Sequence, residues 1–341
     1  MTLTRSRGQA PQGPRRSERV GGLTGGCLDS GPMGSPAQAV TVRVPAKVNV
    51  QLAVGPPRAD GFHDLANVFL AVGIHDHVTA TPADALAVTC AGPGSDDVPL
   101  DPEANLAARA ATLLAALHGI EPAVRLHIDK DIPVAGGMAG GSADAAGALL
   151  ACDTLWGTAT PRPELIKLCA ELGSDVPFSL VGGAALGRGR GELLTELPVS
   201  GAFHWVFALA DGGLATPAVY RECDRLRDAD GVHPPRPEPT PALLDALRDG
   251  DARALAATLA NDLQPAALSL RPSLAATLAA GAEAGALAGL VSGSGPTCAF
   301  LADGADAAAR VAAALRAGGT CADARATTGP AAGATTIESH A

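Results

Sequence analysis

The sequence is short of aromatic residues, of lysine and of charge. Among 341 residues there are 2 Trp, 1 Tyr and 6 Phe, and only 18% are Asp, Glu, Lys or Arg. With 47% of the chain apolar, a core has to be filled by Ala, Val and Leu rather than by rings. Acidic residues outnumber basic ones, 35 to 25, for a formal charge of −10. Displacing counterions from nucleic-acid phosphates needs the opposite balance, so no nucleic-acid partner is expected. The seven cysteines, at 27, 90, 152, 169, 223, 298 and 321, are odd in number, widely spaced and without a C-x-x-C pair. That excludes a disulfide frame and a zinc knuckle, and it predicts a reduced, cytoplasmic protein. No run approaches the roughly 18 uncharged apolar residues of a membrane span, and the N-terminus has no apolar secretory block, so no membrane is expected. Lysine is confined to Lys47, Lys130 and Lys167 among the 25 basic side chains. Where arginine is the habitual cation, each lysine invites a specific explanation.

Residues 1–38 carry Arg5, Arg7, Arg15, Arg16 and Arg19 against Glu18 and Asp29, with many Gly, Ser and Pro and no periodicity. This reads as a disordered leader. An Arg-rich, acid-poor leader can address an organelle; the simpler reading is an upstream-extended start, with Met33 as an alternative initiator. From Val40 the pattern predicts strands at 40–44, 48–52, 65–72 and 86–90, then a helix over 103–118 and a strand over 124–128. Helices are expected at about 142–156 and 163–173, with Gly173 at the position that ends the second. Strands at 184–187 and 205–210 follow, then helices near 241–248, 251–263 and 273–284, strands near 287–292 and 298–301, and a helix near 305–317. An early β-rich half followed by alternation argues for α+β in two lobes rather than a doubly wound sheet. We place domains at 39–198 and 199–326, with a disordered tail over 327–341.

The segment from Ile132 to Gly147 holds glycines at 136, 137, 140 and 141, followed directly by a helix-forming run. Glycine lets backbone approach a ligand, and the amides and positive dipole end of a helix favour a phosphate chain. Neither G-x-x-x-x-G-K-[ST] nor G-x-G-x-x-G is met, so a phosphate cradle stands beside a flexible turn capped by Ser142. Ser142 could bond helix amides or reach a magnesium ion. Asp144, in the first turn, is more simply a partner for the helix dipole than a metal ligand. Lys47 and Asn49 fall on the same side of a strand because side chains alternate with period two. Asp175, in Leu172-Gly-Ser-Asp175-Val-Pro177, directly follows a helix end; it reads as a helix cap or as a catalytic carboxylate, and Lys47 as a surface strand residue or its partner.

Five segments together, Pro45-Ala-Lys47-Val-Asn49, Asp60-Gly-Phe62-His63, Pro133 to Ala143, Leu172 to Pro177 and Ser292-Gly293-Ser294-Gly295-Pro296, resemble the GHMP kinases, the family of galactokinase, homoserine kinase, mevalonate kinase and relatives. The resemblance covers about residues 40–325. It implies a two-lobed α+β fold, with an N-terminal lobe like a ribosomal small-subunit protein and a ferredoxin-like C-terminal lobe. It also implies a kinase that uses ATP and Mg2+ to phosphorylate an alcohol. The Pro-Ala-Lys-x-Asn and Asp-Gly-aromatic-His segments point to members acting in isoprenoid precursor synthesis on a small molecule that carries a cytidine diphosphate group.

On that resemblance Asp175 takes the hydroxyl proton and Lys47 holds the carboxylate ionised and stabilises developing charge. Pro133, Val134, Ala135, Gly136, Gly137, Met138, Ala139, Gly140, Gly141, Ser142 and Ala143 form the ATP loop, and Lys130 and Asn105 are further nucleotide contacts. Asn49 bonds substrate hydroxyls, Phe62 stacks on cytosine, and His63 bonds its polar edge; the family often has Tyr where Phe62 stands, so only the stacking carries over. Thr216 and Tyr220 lie in a segment whose aromatic meets the cytosine from the other side. Gly293, Ser294 and Gly295 are the third glycine motif, which supports the phosphate loop, and Ser142 is the candidate metal contact. Lys167 reads as a solvated helix residue. Two other readings stand beside this one: another GHMP small-molecule kinase, and a catalytically silent nucleotide-binding regulator. Oligomeric state is left open.

Overall fold

The computed structural model describes residues 39–337; the expected leader and residues 338–341 lie outside the described residues. The chain opens with two long strands, β1 (Val40–Pro57) and β2 (His63–Pro82), paired antiparallel, followed by β3 (Ala87–Ala91), helix α1 (Leu106–His118) and β4 (Val124–Asp129). Helices α2 (Gly140–Trp156), α3 (Arg162–Leu172) and α4 (Val176–Val181) come next, then β5 (Ala184–Arg188) and β6 (Leu193–Glu196). The strands expected at 40–44 and 48–52 are one element: register shifts between Pro45 and Ala46 and between Asn49 and Gln51 bend β1 without ending it.

A second sheet starts at β7 (Phe203–Leu209). It is followed by α5 (Thr216–Ala229), α6 (Pro241–Asp249), α7 (Ala252–Ala256), the two-residue β8 (Ala260–Asn261), α8 (Gln264–Leu270) and α9 (Ser273–Glu283). Strands β9 (Ala288–Val291) and β10 (Cys298–Ala302), helix α10 (Ala305–Gly318), β11 (Asp323–Gly329) and β12 (Thr335–Ile337) complete the described chain. The first sheet runs β12-β1-β2-β4-β3, with β5 on β2, β6 on β5 and β8 parallel to β1; the second runs β11-β7-β10-β9, antiparallel throughout. The protein is α+β, and its two sheets carry the two lobes.

The single helix expected over 251–263 is instead α7 followed by β8, because the chain turns to lay Ala260 and Asn261 beside Gln51 and Leu52 of β1. Helix α8 was not anticipated. Residues 327–337, expected in a tail, form the end of β11 and all of β12, whose Ile337, Thr336 and Thr335 pair with Thr41, Val42 and Arg43. Six cysteines among the described residues are free, and no described helix is long and apolar enough to cross a membrane.

The scarcity of rings shows in the packing. Helix α2 is buried along most of its length and built from Gly, Ala and Leu, so it lies close on β1 and β2. At Gly147 an added Cβ would come within 2.8 Å of Val78 and 2.9 Å of Val44, nearer than core carbons pack. Five of the six phenylalanines are fully buried, among them Phe69 and Phe178, stacked at 4.8 Å; Phe62 is 48% exposed.

Candidate active site

Lys47 and Asn49 point to the same side of β1 and are both buried. The Lys47 ammonium donates to Asn49 Oδ1 at 2.6 Å and to the Gly137 carbonyl at 2.9 Å, and it faces Asp175 Oδ2 at 3.6 Å. Burial lowers the Lys47 pKa below the ordinary lysine value, with the Asp175 charge working against that shift. Asp175 occupies the residue before α4, but its side chain makes no cap bond to the helix amides. Its carboxylate turns to Lys47 instead, so the cap is not its role. Gly173 ends α3 in extended backbone and gives its N–H to the Cys169 carbonyl, which delivers the chain to this position.

The glycine loop crosses in front of that pair. The Lys47 N–H donates to the Met138 carbonyl, which ties β1 to the loop, and the Gly137 carbonyl also accepts from Ser292 Oγ at 3.1 Å. Gly137 has φ +77, and a Cβ there would sit 2.2 Å from the Ser292 carbonyl. Only glycine permits this contact between the first and third glycine motifs. Ala135 (φ 53) and Ala139 (φ 63) take left-handed backbone although both carry a Cβ. Each such residue costs about 1–2 kcal/mol. Helix α2 opens at Gly140 with Ala139 in the capping position, so Ser142 is not the cap; it sits in the first turn and faces the cavity.

These elements enclose a cavity of about 760 Å³. Lys47, Asn49, Ala135, Gly136, Gly137, Ala139, Gly140, Gly141, Ser142 and Asp175 line it together with Phe62, His63 and Tyr220, and Thr216 borders it from the second lobe with Gly293, Ser294 and Gly295. Loop amides at a helix N-terminus beside a lysine suit an anion. Met138 and Ala143 are fully buried and pack in the core, and Pro133 stands at the loop entry. Val134 lines a separate hollow of about 150 Å³ together with Asn105 and Lys130. Asn105 caps α1, accepting from the Ala107 and Ala108 amides, while its own amide donates to the Pro99 carbonyl.

Lys130 differs from expectation most. Its side chain is 1% exposed, and its ammonium donates to Asp76 and, at 2.8 Å, to Asp144. Asp76 Oδ1 in turn accepts from the Asp131 and Ile132 amides at 2.7 and 2.8 Å. This triad braces the loop from behind, and it engages Asp144, which explains that residue better than the helix dipole does. Lys167 is exposed and pairs with Glu164, a solvated helix residue.

Arg190 also lines the cavity, and its guanidinium carbon lies 5.0 Å from the centre of the exposed Phe62 ring. The Tyr220 ring lies 5.0 Å from that of His63 at 34°, and His63 Nε2 is 3.0 and 3.2 Å from the two Asp224 oxygens. Burial raises the Tyr220 pKa, and the Asp175 charge adds to it. Thr216 Oγ1 and Ser294 Oγ are hydrogen-bonded at 2.9 Å.

Four residues near the site were not anticipated. Asn67 accepts from Asn49 Nδ2 at 2.7 Å; its signal was a lone amide in an apolar strand. Arg190 stands between two glycines of a hairpin, and Asp224 is four residues beyond Tyr220, one helical turn along α5. Asn261 donates to the Val291 and Gly293 carbonyls, both at 2.7 Å, and holds the third glycine motif; nothing in its sequence context marks it.

A backbone cradle suited to phosphate, facing a lysine–carboxylate pair across one cavity, is the arrangement a phosphotransferase needs. Residues 105–183 match the GHMP kinases N terminal domain and residues 243–321 the GHMP kinases C terminal domain. The chain is 71% identical over 299 residues to the 4-diphosphocytidyl-2-C-methyl-D-erythritol kinase of Streptomyces avermitilis, covering 88% of this chain and 100% of that one. It is 68% identical to the enzyme of the same name from Streptomyces coelicolor, again over 88% and 100% of the two chains. A crystal structure of 4-(cytidine 5'-diphospho)-2C-methyl-D-erythritol kinase superposes with a TM-score of 0.68 at 35% identity, covering 84% of this chain and 98% of the other. The chain belongs to the GHMP kinases.

Proposed function

We propose that the protein transfers the γ-phosphate of ATP to a hydroxyl of 4-diphosphocytidyl-2-C-methyl-D-erythritol, giving the 2-phosphate and ADP, in the non-mevalonate route to isoprenoid precursors. The observation that carries this reading is the Lys47–Asp175 pair at 3.6 Å, in a cavity lined by the glycine loop together with Phe62, His63 and Tyr220. The named relatives support the substrate.

The substrate hydroxyl approaches Asp175, which accepts its proton as the oxygen bonds to the γ-phosphorus and the bond to the ADP oxygen breaks. Lys47 pairs with Asp175 and places positive charge beside the transferring group; Asn49, held by Asn67, orients the acceptor. The loop amides and the start of α2 hold the phosphates. Among the described residues no group of three or more His, Cys, Asp or Glu side chains could cage a metal, and the Asp144 oxygen nearest Lys130 is engaged by it. A magnesium ion would be held by the Ser142 hydroxyl, which faces the cavity, and would supply positive charge against the developing phosphate charge. Cytosine stacks on Phe62, with Tyr220 on its far side, His63 at its polar edge and Arg190 bracing Phe62.

The test is ADP release, measured by a coupled assay with the cytidylyl substrate, methylerythritol phosphate lacking the cytidylyl group, homoserine and mevalonate. Turnover is expected with the first alone. Turnover with another acceptor would assign a different kinase of the family, and ADP no higher than background with all four would assign a silent nucleotide binder.

A further inference from the structure

We infer that Asp224 is a specificity-determining positioning residue, which selects cytosine over uracil by fixing the ring tautomer of His63; this rests on the cytidylyl substrate proposed above. His63 is 7% exposed and lies at the start of β2, directly after the exposed Phe62. Its Nε2 faces both oxygens of Asp224, a residue of the other lobe, at 3.0 and 3.2 Å. A carboxylate only accepts hydrogen bonds, so Nε2 carries the proton, and in the uncharged ring Nδ1 is then bare. Tyr220 lies one helical turn before Asp224, on the same stripe of α5, with its ring 5.0 Å from that of His63. One helix face thus presses on the imidazole plane and fixes its hydrogens.

A bare Nδ1 accepts and does not donate. Opposite the 4-position of a pyrimidine it accepts from the amino group of cytosine and is repelled by the carbonyl oxygen of uracil. Without Asp224 the ring is free to move its proton to Nδ1, and the discrimination falls. A site that holds its hydrogen-bonding pattern fixed rejects the mismatched analogue because a polar group is left unpaired.

The experiment compares kcat/KM for the cytidylyl substrate and its uridylyl counterpart in the wild-type protein, in Asp224→Ala and in Asp224→Asn. The cytidylyl-over-uridylyl ratio is expected to fall by about tenfold in Asp224→Ala, the order expected for a hydrogen bond to a charged group. In Asp224→Asn, whose amide oxygen can still accept from Nε2–H, it falls by less. Nitrogen NMR of labelled histidine reads the tautomer directly: Nε2–H in wild type, and a mixture in Asp224→Ala. An unchanged ratio, or an unchanged imidazole signature, overturns the inference, and so does an equal loss with both substrates, which is the mark of a merely structural role. Failure of the wild-type protein to phosphorylate the cytidylyl substrate would instead sink the proposed function.

Discussion

Lys47 and Lys130 are equally hidden, each 4% exposed, but what faces them differs. Lys47 meets one carboxylate, 31% exposed and 3.6 Å away, and otherwise two neutral oxygens. Lys130 meets two carboxylates, 0% and 6% exposed, both within hydrogen-bonding reach. The pKa shifts follow: burial prevails at Lys47 and lowers it, whereas at Lys130 burial pulls down but Asp144 and Asp76 together raise it. A buried cation that is loosely paired and open to a cavity keeps field to spend on a ligand. One saturated by its own chain spends it on holding the backbone in place.

The contrast breaks most visibly in stability. Lys130→Ala leaves Asp76 and Asp144 facing each other in the interior, and the loss of one side of a buried ion pair costs about 3–5 kcal/mol. Urea denaturation should show that loss, with Lys47→Ala losing clearly less because Asp175 can stay hydrated from the cavity. Equal losses in the two variants would erase the distinction between brace and site.

Catalysis should divide them the other way. Lys47→Ala and Asp175→Ala are each expected to lower kcat by at least about 10²-fold, the range of a general base and its charge partner. Near-normal turnover in both folded variants would remove the pair from the chemistry.

The sequence pattern reached one of these lysines and not the other for a physical reason. Period-two alternation placed Lys47 beside Asn49, and the helix-ending Gly173 placed Asp175 where a carboxylate could turn away from the helix; both signals are local. The partners of Lys130 are 54 and 14 residues away, and no local pattern announces them, so its place next to the glycine loop suggested a nucleotide contact. The long helices α1 and α2 and the glycine loop were legible from spacing and composition. Strand β12 and the two-residue β8 were not, because each is defined only by its pairing with β1. Asp224 and Arg190 were missed because their partners, His63 and Phe62, lie far away along the chain.

The finest difference lies in the third member of the brace. Asp144 Oδ1 is buried without a hydrogen-bond partner among the described residues. Burial raises its pKa above the usual carboxylate value, Lys130 opposes the shift, and the Asp76 charge adds to it. The folded protein therefore holds this proton more tightly than the unfolded chain does. Between the ordinary carboxylate value, about 4, and the raised folded value, the native state binds more protons, so stability falls as pH rises through that window. Asp144→Asn lacks the titrating group, keeps the shape, and leaves Lys130 paired with Asp76 alone. Its Tm, followed from about pH 5 to about pH 8, should decline less with pH than that of the wild-type protein, the two curves drawing apart toward the alkaline end in favour of the variant. Parallel curves for Asp144→Asn and the wild type would mean that the second carboxylate is neutralised by Lys130 as fully as the first.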